Sequence, residues 1–293
     1  MSIGILYESN EWSTFSFFEY LTRMLPEVKV KLYNLEADVD IEAILAHDLI
    51  VNRIFASAYF RGHKRSLFNV KKILELAKKS GKVILNSYEA HFYEIDKYLA
   101  SRVLHKHGLS VPEIYGCFRG RRNLKGINFS YPLIIKPNCG GRTIDTHVVY
   151  TEEQLKLLQK KLKPDIYYIA QAYIKPPGNF ITRVEYIGGR PVQVLKKMLT
   201  VDGLATYNLG SKFSAYPECP ASVLEKAKTA LELLNIEMGS LDIIETQNDT
   251  YLIDVNAVSN TSEDFVRAFN FDLMKETANH VASRYNSLFR REE

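Results

Sequence analysis

The first third of the chain alternates short apolar runs with stretches whose apolar residues recur at helical spacing. Residues 3–7, 29–34, 47–52 and 83–86 read as strands, and residues 12–24 and 71–79 read as helices, the second stopped by Gly81. Strands alternating with helices predict a parallel sheet covered on both faces. Its ligand edge should be the loops after the strand ends, where Arg53 and Asn86 fall. A new unit starts near Tyr88: Asp96 caps a helix running to His107, Gly108 stops it, and Val111-Pro112 forces an extended exit. Residues 131–136 and 146–150 are strands around the loop 137–142, and Thr151 opens a helix through Lys163. From Ile166 strands dominate, at 166–173, 181–187 and 192–198. A helix at 221–234, a hairpin at 240–256 and a closing helix at 273–285 complete the pattern. The fold class is α/β, α+β overall.

A length of 293 residues exceeds one average domain, and 46% hydrophobic with 25% charged residues excludes a disordered or collagen-like chain. Lys+Arg 38 against Asp+Glu 34 leaves +4, which suits an anionic ligand. The basic runs are dispersed and lack interleaved aromatics, which argues against a nucleic-acid partner. Cys117, Cys139 and Cys219 have no CxxC spacing and suit a reducing compartment. The first residues do not read as a signal peptide, and no apolar run approaches the roughly 20 residues a membrane helix needs. A cytoplasmic protein with no membrane partner is expected.

The clearest chemical signal is the hairpin. With its loop centred on Asn248, Asp242 lies opposite Asp254, and Asn256 shares their face because the strand period is two. Leu241, Ile243, Tyr251, Ile253 and Val255 then form the inward face. Two carboxylates opposed across a ladder repel, and a bound cation removes the conflict. Three oxygen ligands on one rigid face suit Mg²⁺ shared with a substrate phosphate; the alternative is a solvated acidic face. A second signal is Lys136 at the end of a buried strand, followed by Gly140-Gly141. Glycines let backbone N–H groups approach phosphate oxygens while the lysine supplies charge, although an ordinary turn has the same composition. Cys139 inside this loop has no identifiable base and reads as a bystander. Lys97, Arg183, Lys196 and Lys197 could serve the same anion, or each could sit on a solvated face. The histidines show no HxxxH or HExxH spacing and no GxSxG is present, so neither zinc nor a serine hydrolase is indicated.

The order of these motifs resembles the ATP-grasp superfamily, and within it the RimK-like and LysX-type carboxylate–amine ligases. Asp96-Lys97 with the segment 107–112 is similar to the family's DK…GLPVP stretch, and residues 131–137 to its lysine strand. Gln171-Ala172-Tyr173-Ile174 matches the adenine hinge, Arg183-Val184 with Gly188-Gly189 the RV…GG strand pair, and the Asp242 and Asp254–Asn256 strands the metal hairpin. The resemblance implies an N-terminal α/β domain over residues 1–88 and an ATP-grasp domain over 89–293. The latter would divide into a lid near 112–170 and a C-terminal subdomain at 171–293. It implies ATP and Mg²⁺ as cofactors, with room for two ions and for Mn²⁺ as a substitute. Lys97, Lys136, Lys196, Gly140, Gly141 and the 171–174 hinge would bind ATP. Arg183, Lys197 and Asn208 would hold the γ-phosphate and an acyl phosphate, and Asp242, Asp254 and Asn256 the metal. Arg53 and Asn86 become candidates for substrate recognition, a salt bridge being the other reading of Arg53. The implied activity joins a carboxylate to an amine, on small-molecule or peptide substrates, through an acyl phosphate. A kinase on the same scaffold or a catalytically silent ATP-binding module are the alternatives, and homo-oligomerisation stays open. The chain departs from the family at Ala172, where Glu is usual, at Ile181, at Asp254 in place of Glu, and at Ala257-Val258-Ser259-Asn260 beside the acceptor.

Overall fold

The computed structural model describes residues 1–289 apart from 121, 123, 125–126 and 206–209. In chain order the N-terminal elements are β1 (Ser2–Tyr7), α1 (Trp12–Met24), β2 (Lys29–Asn34), α2 (Ile41–Leu45), β3 (Leu49–Asn52), a 3-10 segment (Ala56–Phe60), α3 (Lys64–Lys79) and β4 (Val83–Leu85). The strands form a parallel sheet in the order β2-β1-β3-β4. Both faces are covered. Ile3 and Ile5 of β1 pack with Phe17 and Leu21 of α1, while Leu6 packs with Val70, Ile73 and Leu74 of α3. Burial on both sides is why β1 reads as a continuous apolar run.

Next come α4 (Tyr88–Ile95), α5 (Lys97–Lys106), β5 (Ile114–Arg119), β6 (Leu133–Pro137), β7 (His147–Val149), α6 (Glu152–Gln159) and β8 (Tyr167–Ala172). These strands form an antiparallel sheet ordered β5-β8-β6-β7. Asp96 and Thr151 cap α5 and α6 as expected, accepting from Leu99 N at 2.9 Å and Gln154 N at 3.3 Å. The helix expected to run to Lys163 ends instead at Gln159, and Leu162 and Ile166 turn into the core of this sheet.

The remaining elements are β9 (Phe180–Ile187), β10 (Arg190–Met198), β11 (Phe213–Ala215), α7 (Ala221–Leu233), β12 (Met238–Glu245), β13 (Thr250–Asn256), α8 (Glu263–Phe269) and α9 (Leu273–Phe289). They build an antiparallel sheet ordered β11-β10-β9-β12-β13. One face packs on α7 through Val184, Tyr186, Leu241 and Ile243, leaving the other for polar residues. The last helix returns to the first sheet, where Met274, Ala278, Val281 and Tyr285 join the α1 side of its core. No helix among the described residues is long and apolar enough to cross a membrane.

Two buried side chains fasten the first sheet to the third. Asn86 Oδ1 accepts from Glu237 N and Met238 N, both at 2.9 Å, while its Nδ2 donates to the carbonyls of Met238 and Ala257. Glu94 accepts from Ala56 N at 3.0 Å and Ala257 N at 2.6 Å, and burial raises its pKa above the ordinary range. Asn86→Ala orphans several buried backbone groups at once. A loss of about 2–4 kcal/mol is expected in urea unfolding, against little change for Asn→Ala at an exposed position.

Candidate active site

A cavity of about 550 Å³ opens between the second and third sheets and reaches the loops of the first. Its floor is the polar face of the third sheet, laid out in register. Arg183 of β9 pairs with Asp242 of β12, which pairs with Asp254 of β13. One step along, Glu185 pairs with Ser240 and Ser240 with Asn256. The expected opposition of Asp242 and Asp254 is present. Beyond it the hairpin differs from the symmetric reading: the register slips so that Ile243 pairs with Leu252. Leu252 (2% exposed) therefore takes the inward place, and Tyr251 and Ile253 leave it. The bulge has a use, because it presents the Ile253 carbonyl to Lys136 Nζ at 2.8 Å.

Each carboxylate of the floor is covered by cations. Lys197 Nζ donates to Asp242 Oδ2 at 2.6 Å and Arg183 Nη1 to Asp242 Oδ1 at 3.2 Å. Lys97 pairs with Asp254. Arg183 Nε also donates to Glu185 at 2.6 Å, and Glu185 accepts in turn from Ser259 Oγ. Burial works against the charges of Lys97 and Asp254, yet their mutual attraction prevails, holding Lys97 above and Asp254 below its ordinary pKa. Arg183 is likewise raised, burial notwithstanding, by Glu185 and Asp242. Lys136 differs. Burial dominates there and pulls it down to about 8, the pull of Asp254 only partly offsetting it.

The loop after β6 docks on both neighbours. Asn138 Oδ1 accepts from Tyr98 N at 2.8 Å, its carbonyl accepts from Lys97 N at 3.1 Å, and its Nδ2 donates to Asp96 at 2.9 Å, so the loop sits on the N-terminus of α5. A Cβ on Gly140 (φ +155°) would lie 2.8 Å from the Phe60 ring, and one on Gly141 3.3 Å from Ser57. Small residues are what let the loop lie on the 3-10 segment. Arg142 then reaches Glu11 at 2.7 Å. Cys139 is partly buried, and burial pushes its thiol up to about 12, which suits the bystander reading.

Of the expected site residues, Lys97, Lys136, Gly140, Gly141, Gln171, Ala172, Tyr173, Ile174, Arg183, Lys197, Asp242, Asp254 and Asn256 border this one cavity. Lys196 is not brought to it. Strand alternation turns it to the opposite face from Lys197, over the Phe180 and Tyr216 rings and 2.7 Å from Glu218. Asn86 has no free polar atom for a substrate, being saturated by backbone. Arg53 is buried behind Phe55, bonded to Ser13 and Thr14 at 3.1 and 3.2 Å, and no carboxylate among the described residues forms a salt bridge with it. Asn208 lies outside the described residues. Sequence reasoning missed Glu185, Asn138 and Glu11; only Glu185 had a signal, its spacing of two from Arg183 on a strand.

Among the described residues no three His, Cys, Asp or Glu side chains gather as a metal site. The set Asp242, Asp254 and Asn256 nonetheless fits a hard cation. Two carboxylates and an amide share one face of the cavity floor, oxygen donors of the kind a hard cation takes. Ser240 Oγ, across the ladder from Asn256, is buried with no hydrogen-bond partner among the described residues. The ammonium and guanidinium groups now on the carboxylates would have to move aside.

The family described as the RimK-like ATP-grasp domain matches residues 94–281. A D-alanine–D-alanine ligase from Syntrophotalea carbinolica is 24% identical over 210 residues, 67% of this chain and 64% of that protein, so the chain spans just under two thirds of that relative. Solved structures share the fold. A RimK domain ATP-grasp protein from Sphaerobacter thermophilus aligns over 96% of this chain and 99% of its own, with a TM-score of 0.71 at 13% identity. A Bacillus anthracis D-alanine–D-alanine ligase complexed with ATP aligns over 97% and 99%, with 0.67 at 15%. The ATP-grasp ligase PsnB, complexed with a minimal precursor, Mg and ADP, aligns over 96% and 97%, with 0.66 at 14%.

The depressed pKa of Lys136 has a stability consequence in the ligand-free protein. The unfolded chain binds the extra proton between about 8 and the ordinary lysine value, so stability rises with pH across that window. Lys136→Met is expected to flatten this rise, and urea unfolding at about pH 7, 8 and 9.5 checks it.

Proposed function

The chain belongs to the RimK-like ATP-grasp family, and from that premise we propose that it is a Mg-ATP-dependent ligase joining a carboxylate to an amine through an acyl phosphate, with release of ADP and phosphate. Its substrates would be an amino acid, a peptide or a protein terminus. The observation that carries this reading is the convergence of Lys97, Lys136, Arg183 and Lys197 with the opposed Asp242 and Asp254 in one cavity. Such a site matches the physical task, which is to bring a triphosphate and a carboxylate together although both are anions. The ligands in the solved neighbours, ATP in one and Mg with ADP in another, agree with it.

In this reading the backbone at Gln171–Ile174 holds adenine, and Lys97, Lys136 and the Gly140-Gly141 loop take phosphate oxygens. Arg183 and Lys197, with Asn208, neutralise the transferring group. Asp242, Asp254 and Asn256 hold Mg²⁺, one ion or two, which when bound screens the phosphate charge. Binding would then be an exchange of partners: Lys97 and Lys197 would leave Asp254 and Asp242 for phosphate oxygens, freeing those carboxylates to hold Mg²⁺. No side-chain nucleophile is needed, because the substrate carboxylate attacks phosphorus and the amine later attacks the acyl carbon. Residues 112–170 act as a lid over 171–293, and residues 1–88 supply the substrate wall. Closure of that lid excludes water from the acyl phosphate.

³¹P NMR with Mg-ATP and pooled amino acids and peptides is expected to show ADP and phosphate only when the pool is present. AMP with pyrophosphate would overturn the mechanism, and a stable phosphorylated product would mark a kinase. Asp242→Asn keeps shape while removing the charge, and turnover is expected to fall at least about a hundredfold. The thermal transition should stay cooperative but move down, because Lys197 and Arg183 lose their carboxylate.

A further inference from the structure

The cavity extends well past the residues assigned above to nucleotide and metal. What we call its other half is lined by Trp12 at the start of α1, Phe55 before the 3-10 segment, Phe213, the cross-strand neighbour of Lys197, and Phe265, with residues 258 and 260–262. Ser13 donates to Asn260 and Asn260 to Glu11, which brings the start of α1 beside that last segment. Two of these walls are fixed in place. Phe55 lies between the guanidiniums of Arg53 and Arg61, 5.7 and 5.8 Å from its ring centre. Phe265 meets Phe213 edge-on at 5.5 Å and Phe269 at 4.5 Å. Aromatic surfaces already held in place lose little conformational freedom when a ligand covers them.

The charges bordering this half are matched among themselves. Glu11 accepts from Arg61 at 2.9 Å, from Arg142 at 2.7 Å and from Asn260 at 3.4 Å, and Arg61 also pairs with the buried Glu8. Among the described residues Arg53 has no carboxylate partner, but it lies behind Phe55, donates to Ser13 and Thr14 and lines an adjoining small cavity instead of this one. An acidic or basic side chain entering here would have to break the Glu11–Arg142 pair or go without an opposite charge.

Resting on the ligase reading above, we propose that this half of the site selects a ligation substrate, an amino acid or peptide end, with a bulky apolar or aromatic side chain. Phe265 is its specificity-determining residue. The substrate's reacting group points toward Arg183 and Lys197, and its side chain lies among Trp12, Phe55, Phe213 and Phe265. A glutamate-like substrate is disfavoured, because among the described residues Arg142, the cation bordering this half, is already paired with Glu11.

Trp12 is the only tryptophan in the chain, so its emission reports occupancy of this half directly. Protein loaded with Mg²⁺ and a non-hydrolysable ATP analogue is titrated with phenylalanine, leucine, alanine, glutamate and lysine, each as the free amino acid and as the alanyl dipeptide in both orders. Phenylalanine or leucine compounds are expected to half-saturate the signal at least about tenfold below their glutamate and lysine counterparts. Phe265→Ala should remove that advantage while Phe265→Leu keeps it, and nucleotide affinity serves as the folding control in both. A preference for the charged compounds, no response to any compound, or an unchanged preference in Phe265→Ala overturns the proposal. ADP release in parallel with Mg-ATP separates it from the ligase reading. Release driven by glutamate compounds would sink the substrate class and uphold ligation, whereas apolar-selective binding without ATP cleavage would uphold the pocket and count against ligation.

Discussion

Asp242 and Asp254 stand opposite each other on neighbouring strands, and like charges in that position repel. Most of the site can be understood as the answer to that repulsion. Arg183 is in register with Asp242 on the next strand, Lys197 arrives from the strand beyond, and Lys97 comes from the start of α5. Each cation is aimed at a carboxylate and is also available to an anionic ligand. The compensation is therefore provisional, made of groups that can change partners when a metal and a phosphate arrive. Removing a partner instead of exchanging it would leave a buried charge, which is why the network holds together as a unit.

The same face explains why the hairpin is irregular. A symmetric hairpin would send Ile253 to the core. The one-residue slip sends Leu252 there and frees the Ile253 carbonyl for Lys136, which burial has left weakly basic. Local pairing has given way to the needs of a third element, the strand bearing Lys136. At the open end of the same hairpin, Glu94 and Asn86 spend their polar atoms on backbone of the 3-10 segment, the start of β12 and the loop at Ala257. The wall contributed by the first sheet is thereby held to the polar floor.

Arg183, Lys136 and the two aspartates were legible because strand period and residue type carry them: charged residues at the ends of apolar runs, spaced by two. The β1–β4 layer was legible for the same reason, its strands being buried on both faces. Lys196 and Lys197 could not be separated by spacing, since adjacent residues on a strand point to opposite faces and only the register says which faces the floor. Arg53 and Asn86 sit at the strand ends where ligand contacts gather, yet one is buried behind an aromatic ring and the other is saturated by backbone.

What the sequence by itself determined is most of the longer elements, the parallel layer and the opposed carboxylates, because these depend on contacts between residues near in the chain or in one hairpin. The elements α2, α4, β5, β11 and α8 escaped it, being short or without a clear period. Only the tertiary structure decided which cations answer those carboxylates, that Glu11 and Arg142 close off one side, and that four aromatic rings line the far half. Those contacts join residues from 45 to 157 positions apart, and no local pattern of polarity encodes a meeting at that distance.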